Sequence, residues 1–422
     1  VAHSRWQRNL LTYLMVFGPG LIVMVADNDA GAVSTYTQAG ATYGTNLLWI
    51  LLLLLPVTYF CQEMVVRLGI ATGQGHAAMI FRRFGKWWGI FSLGDLLLVN
   101  FLTLVTEFAA IALAFDRLGI SPYLAVPVAV GALAAIVLTG SYRRWERIVV
   151  GLCLLDLIWF GLAFMSSPPV GDVGETIVNA LVPHLPPGGL TPELMFLVIA
   201  IVGTTIAPWQ LFFQQACVAD KRLRFSDLKF SRLDTFVGAC VTITVAGCMM
   251  LVGDFARRNG VNYTDPAQMA VALGPIAGKF VSTAILLLMV NASILGTTAI
   301  SLSSAWAYGE VSGWPHSLQK SFKEAPAFYG VYALCVMLAG AIVLIPGAPL
   351  QLIILGVQVL AGVMLPSAII FLQLLLNDKE LLGQRFVNKR WNNWVNWTII
   401  IVLFVLSVVL ATQVLLPGIF PS

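Results

Sequence analysis

Several acidic side chains stand inside long apolar runs, where an uncompensated charge is costly: Asp27, Asp29, Asp95, Glu107 and Asp156. Asp29 has the strongest chemistry. It lies in the run Asp27-Asn28-Asp29-Ala30-Gly31, where glycine weakens a helix, and a carboxylate facing freed backbone carbonyls is a seat for a hard cation. A second weak point is Gly203-Thr204-Thr205-Ile206-Ala207-Pro208. Proline has no N–H to give and crowds the preceding turn, so Pro208 frees carbonyls near Thr204. Asp27 suits a cap on the first half-helix or a polar contact to the access path. Asp95 and Glu107 are separated by about 18 Å along a helix, too far to share one ion. With Asp156 they read as paired polar residues between helices or as a relay. Asp234 stands beside Arg232 and reads as a structural ion pair. The six cysteines form no CxxC pair and have no clustered histidine near them, which argues against a thiolate metal site or redox dithiol.

The elements that carry these residues follow from composition. The chain has 422 residues, 59% of them hydrophobic and 10% charged, with a mean hydropathy of +0.87. A soluble protein carries about a quarter of its residues as charges, so the chain is a polytopic membrane protein, and disorder and secreted disulfide scaffolds are excluded. Windows of about 20 apolar residues give eleven spans at 10–41, 45–66, 88–115, 121–141, 147–166, 194–217, 233–255, 280–308, 326–345, 350–376 and 394–416. No cleavable leader is expected in the first, which lacks a small-residue cleavage site before polar sequence. With eleven spans, all of the 24 basic residues except Arg117, Arg257, Arg258 and Lys279 fall on one side. The positive-inside rule then expects a cytoplasmic N-terminus and an external C-terminus.

The external connection 167–193 has no basic residue and divides two sets of five spans. The expected organisation is a first repeat 1–166, an external linker 167–193, a second repeat 194–376, and a cytoplasmic connection with span 11 over 377–422. Five spans starting inside and five starting outside make an inverted repeat. Its first helices are interrupted at matching places, 27–32 and 203–208. Unwound backbone at membrane depth is tolerated where it lines a cavity, so both breaks point to a substrate site near the midplane.

The residues here resemble a known family. Gly18-Pro19-Gly20, Asp29-Ala30-Gly31-Ala32 and Gln38-Ala39-Gly40-Ala41-Thr42-Tyr43-Gly44 are similar to the first helix of NRAMP-type divalent-metal transporters, with its DPGN and QAGAxYG patterns. Arg67-Leu68-Gly69 with Thr72-Gly73, Arg232-Leu233-Asp234, Gln358 before Pro366, and Phe386-Val387-Asn388 with Arg390-Trp391 extend the resemblance along the chain. It implies an all-α LeuT-type fold with eleven transmembrane helices, a 5+5 inverted repeat, broken helices 1 and 6, and transport by alternating access.

Departures from that pattern carry the substrate reading. The family's Pro and Asn are Ala30 and Ala32, its Met-Pro-His is Ala207-Pro208-Trp209, and the next two polar positions are Gln210 and Gln214. Counted from Asp95, the family's two helix-3 acids fall on Leu102 and Val105. Losing a thioether removes a soft ligand, whereas carboxylate, carbonyl and water suit Mg²⁺ and Ca²⁺. The expected ligands are Asp29, the carbonyls of Ala26 and Thr204, and the amide oxygen of Gln358. Ala32, Ala207, Gln210, Gln214 and Asp27 surround them, and the two glutamines either bind the ion's waters or bond between helices. So few ligands suit Mg²⁺, which keeps several waters. The resemblance is therefore to the NRAMP-related magnesium transporter branch, with Mn²⁺ as a further substrate.

None of His3, His76, His184 and His316 lies in a span, and the helix-3 acids read as absent, so uncoupled transport is expected. A divalent cation gains about 4.6 kcal/mol at 100 mV, negative inside, which suffices for uptake. A proton-coupled Mn²⁺/Fe²⁺ carrier and an organic-solute carrier of the same fold are the competing transporters. An intramembrane protease is disfavoured because Ser92 replaces the first glycine of a GxGD pattern at Gly94-Asp95. No enzyme, cofactor, nucleic acid or obligatory protein partner is expected. The partners are a divalent cation and the bilayer, and the short loops suggest a bacterial inner membrane.

Overall fold

The computed structural model describes residues 18–138, 141–167, 169 and 172–415, and every regular element among them is helical. Residues 10–17 of the expected first span, Leu416, His3 and both chain termini lie outside the described residues. The first span is two helices, α1 (Pro19–Ala26) and α2 (Ala30–Tyr43), joined by non-helical Asp27-Asn28-Asp29. Spans 2 to 5 are α3 (Leu48–Thr72), α5 (Lys86–Arg117), α6 (Pro122–Val137), and α7 (Tyr142–Leu155) continued by α8 (Ile158–Met165). A short amphipathic helix, α4 (His76–Phe84), connects α3 to α5, and the linker contains α9 (Val173–Leu181).

The sixth span is also broken, into α10 (Pro192–Thr205) and α11 (Pro208–Asp220). It is followed by α12 (Leu228–Arg258), α13 (Pro266–Ala277), α14 (Lys279–Ser312), α15 (Pro326–Val343), α16 (Leu350–Leu376), α17 (Lys379–Phe386) and α18 (Arg390–Leu415). Among the described residues nine helices are long and apolar enough to cross a membrane. The broken first span and the shorter α6 bring the correspondence to all eleven expected spans. The sixth span and α14 are the most enclosed of these helices, and α18 is the least.

Both breaks are narrower than the sequence suggests. Gly31 lies inside α2, and Gly203 to Thr205 lie inside α10. Their glycines serve close packing: a Cβ at Gly31 would collide with the Gln358 side chain, and one at Gly203 with the Gln358 carbonyl and Gly362. Gln358 of α16 is therefore pressed against both broken helices. Gly40 and Gly253 likewise bring the backbones of α2 and α12 together, since a Cβ on either would enter a carbonyl of the other helix.

Candidate ion site

The unwound segment frees a carbonyl at each break for a reason that can be read residue by residue. In a continuous helix the Ala26 carbonyl would accept from the amide of Ala30. That amide donates instead to Glu107 Oε2 of α5, at 3.2 Å. The Thr204 carbonyl would accept from residue 208, which is Pro208 and has no N–H. Both carbonyls expected as ligands thus lose their helical donors. Asp29 caps α2: its Oδ1 accepts from the Ala32 amide at 3.0 Å. With Ala32 in place of a longer polar residue, only backbone meets the carboxylate there.

Glu107 is the main residue that the sequence reading misplaced. Its side chain lies beside Asp29: the Glu107 carboxyl and the Asp29 Cβ both pack against Gly296 of α14, and Glu107 Oε2 takes the amide of the next residue, Ala30. Counting from Asp95 put the acidic positions at Leu102 and Val105, whereas the helix turns Glu107 onto the break. A titratable group therefore does stand beside Asp29, which removes the premise behind the uncoupled expectation. Asp95 and Asp156 keep their structural reading. Ser367 donates to Asp95 Oδ2 at 2.5 Å, and Asn291 donates to Asp156 Oδ1 at 2.9 Å.

The remaining expected residues divide by contact. Gln210 Nε2 donates to Asp27 Oδ1, and Gln210 Oε1 accepts from Gln62 Nε2 of α3 at 2.9 Å. Gln214 points elsewhere, donating to Thr235 of α12 at 2.9 Å. Gln358 is buried against both broken helices, and its side-chain nitrogen has no hydrogen-bond partner. Ala207 caps α11 without a side-chain bond, and Trp209 is fully buried. The expected Arg232–Asp234 pair is absent. Arg232 bonds Glu63 at 2.6 Å, while Asp234 accepts the amides of Gly18, Gly20 and Leu21 at the start of α1.

The site is enclosed: Asp27, Asp29, Glu107, Thr204, Gln210 and Gln358 are each at most 2% exposed. Asp27 Oδ2, Asn28 Oδ1, Glu107 Oε1 and Thr204 Oγ1 are buried without a hydrogen-bond partner. None of the three acids is in a salt bridge among the described residues. Among the described residues no group of three or more His, Cys, Asp or Glu is arranged to hold a metal by side chains alone. Carbonyl oxygens, one or two carboxylates and water are what the arrangement can offer a cation.

Comparison with known proteins agrees with the architecture. A divalent metal cation transporter, MntH, from Staphylococcus aureus strain JH9 is 26% identical over 96% of this chain and 92% of its own length. A manganese transporter of Eremococcus coleocola superposes with a TM-score of 0.77 at 21% identity, covering 100% of this chain and 90% of its own. MhsT in complex with L-phenylalanine gives a TM-score of 0.59 at 13% identity over 94% of this chain and 98% of its own. These likenesses establish the LeuT-type fold. The family described as natural resistance-associated macrophage protein-like matches residues 20–413. The chain belongs to the Nramp family.

Proposed function

We propose that the chain moves a divalent metal cation across the membrane by alternating access, and that its physiological ion is Mg²⁺, carried with part of its water shell. The observation that carries this reading is the burial of Asp27, Asp29 and Glu107 around the break in the first span without any basic partner among the described residues. Burying a carboxylate unpaired costs several kcal/mol, and a cation together with a proton relieves it. The names of the MntH relatives support a divalent metal as cargo. Ala207 and Trp209, where the family pattern has soft or nitrogen ligands, support a hard ion bound through oxygen. The halves 1–166 and 194–376 act as the two inverted repeats, with α1 beginning on the cytoplasmic side. Mn²⁺ is a second substrate.

Glu107 favours a second reading of the energetics. Two carboxyls buried side by side favour holding a proton between them at the expense of one charge, and a cation arriving at Asp29 displaces it. If that proton leaves with the ion, transport is proton-coupled. If it returns to the side it came from, the membrane potential alone drives uptake. Flux of Mg²⁺, Mn²⁺ and Cd²⁺ into proteoliposomes at a set potential, with a pH dye inside, separates these. The magnesium reading expects saturable Mg²⁺ flux. Cd²⁺ flux with acidification and no Mg²⁺ flux would overturn it in favour of a proton-coupled soft-metal carrier.

A further inference from the structure

Asp27 has no part in the ligand set above, although it is as deeply enclosed as Asp29. Its Oδ1 takes a hydrogen bond from Gln210, and Gln210 in turn takes one from Gln62. These two amides form a directional chain from α3 through α11 that ends on the carboxylate and orients it. Amides are neutral and leave its charge uncancelled. Asp27 Oδ2 has no partner, nor does the side-chain oxygen of the adjacent Asn28, nor Gln62 Oε1 on the amide that starts the chain. The neighbouring Tyr36 hydroxyl is already bonded to Thr205 Oγ1 at 2.7 Å. No Lys, Arg or His forms a salt bridge with Asp27 among the described residues.

Charge balance points the same way. Asp27 and Asp29 are two carboxylates buried at one break with no basic partner among the described residues. A divalent cation cancels two such charges, whereas a monovalent ion leaves one buried charge uncompensated. Asp27 and Asp29 are two residues apart in non-helical chain, a span of at most about 7 Å. With their Cα atoms that close, both side chains can reach one Mg²⁺ ion, either directly at about 2.1 Å or through the waters it retains.

We propose that Asp27 is a second carboxylate for the transported divalent cation, aimed by the Gln62–Gln210 amide chain, so that the ion is shared between Asp27 and Asp29 across the break. This rests on the reading of the chain as a divalent-cation carrier. Position 27 lies outside the motif by which the first helix is recognised, so the second carboxylate is a property of this sequence's own Asp-Asn-Asp run.

Calorimetric titration of the purified full chain with MgCl₂ tests it, with thermal melting as a check that each variant is folded. Asp27→Asn keeps the size of the side chain and mimics a protonated carboxyl. The proposal expects at least about tenfold weaker Mg²⁺ binding. Gln62→Leu, which removes only the start of the amide chain, is expected to weaken binding by about tenfold in the Asp27 background and to have no added effect on Asp27→Asn. Asp95→Asn, at the Ser367 contact, is expected to bind as the wild type does. Wild-type affinity in Asp27→Asn, with binding lost in Asp29→Ala, would overturn the proposal while leaving the carrier reading intact, and would assign a proton to Asp27. A wild-type chain that binds no divalent cation would overturn both. Should Asp27→Asn not fold, Gln62→Leu decides: unchanged affinity rejects the proposal.

Discussion

Replacing Asp234 with asparagine should loosen the start of α1. Asp234 reaches from α12 to three backbone amides: Gly20 at 2.8 Å, Leu21 at 3.3 Å and Gly18 at 3.4 Å. These are amides at a helix start, donors that have no acceptor within the helix, and a carboxylate there also meets the positive end of the helix. A hydrogen bond to a charged acceptor is worth about 1.5–3 kcal/mol, roughly twice a neutral one. Asparagine keeps one oxygen for Gly20 and Gly18 and turns its NH₂ toward the Leu21 amide. The net loss is about 2 kcal/mol, counting the Gly20 and Gly18 bonds weakened and the Leu21 bond lost. If α1 must leave α12 for the site to open at this end, only the closed state loses that energy. The open population then rises by about 25-fold, at 1.4 kcal/mol per tenfold. The assay is the rate at which a charged thiol reagent labels Val23→Cys, buried in α1, in a chain whose six native cysteines are replaced by serine. A labelling rate unchanged by Asp234→Asn would refute the reasoning.

Three further outcomes are expected. Gly31→Ala places a methyl against the Gln358 side chain and should nearly abolish uptake, with partial recovery in the double variant Gly31→Ala, Gln358→Ser; no recovery would mean that the contact is not the cause. His76, at the start of α4, is held down to about 4 by burial, with the Gln215 contact opposing. Because its native value lies below the ordinary one near 6.5, the stability it contributes is present above pH 6.5 and is lost as pH falls toward 4. Thermal melting should therefore show a loss of about 2 kcal/mol between pH 7 and pH 5 that His76→Gln lacks, and equal losses in both chains would exclude His76. Glu107→Gln retains an acceptor for the Ala30 amide while removing the proton shared with Asp29. Internal acidification that accompanies uptake through the wild type should be lost in that variant, and acidification that persists would place the moving proton elsewhere.

Much of the architecture was legible because membrane burial writes itself into composition. Long apolar runs and a proline that deprives Thr204 of its donor are local signals, and both led to the right element. Asp29 was legible for the same reason, as an acid beside a weak point in the helix. Glu107 was not, because its importance comes from rotation about α5: a register counted from Asp95 lands on side chains that face another way. Asp234 was misread through proximity. Residues two apart on a helix point to different sides, so Arg232 pairs with Glu63 of α3 while Asp234 turns to α1. Gly31 has two sequence meanings, helix breaker and close-packing residue, and only the position of Gln358 distinguishes them.

The central claim is that a divalent cation passes through the break held by Asp29. Mg²⁺ uptake into liposomes at a fixed negative potential, comparing the wild type with Asp29→Ala at matched amounts of folded protein, tests it most directly. The account predicts saturable uptake by the wild type and uptake at the level of empty liposomes for the variant. Uptake by Asp29→Ala equal to that of the wild type would contradict it.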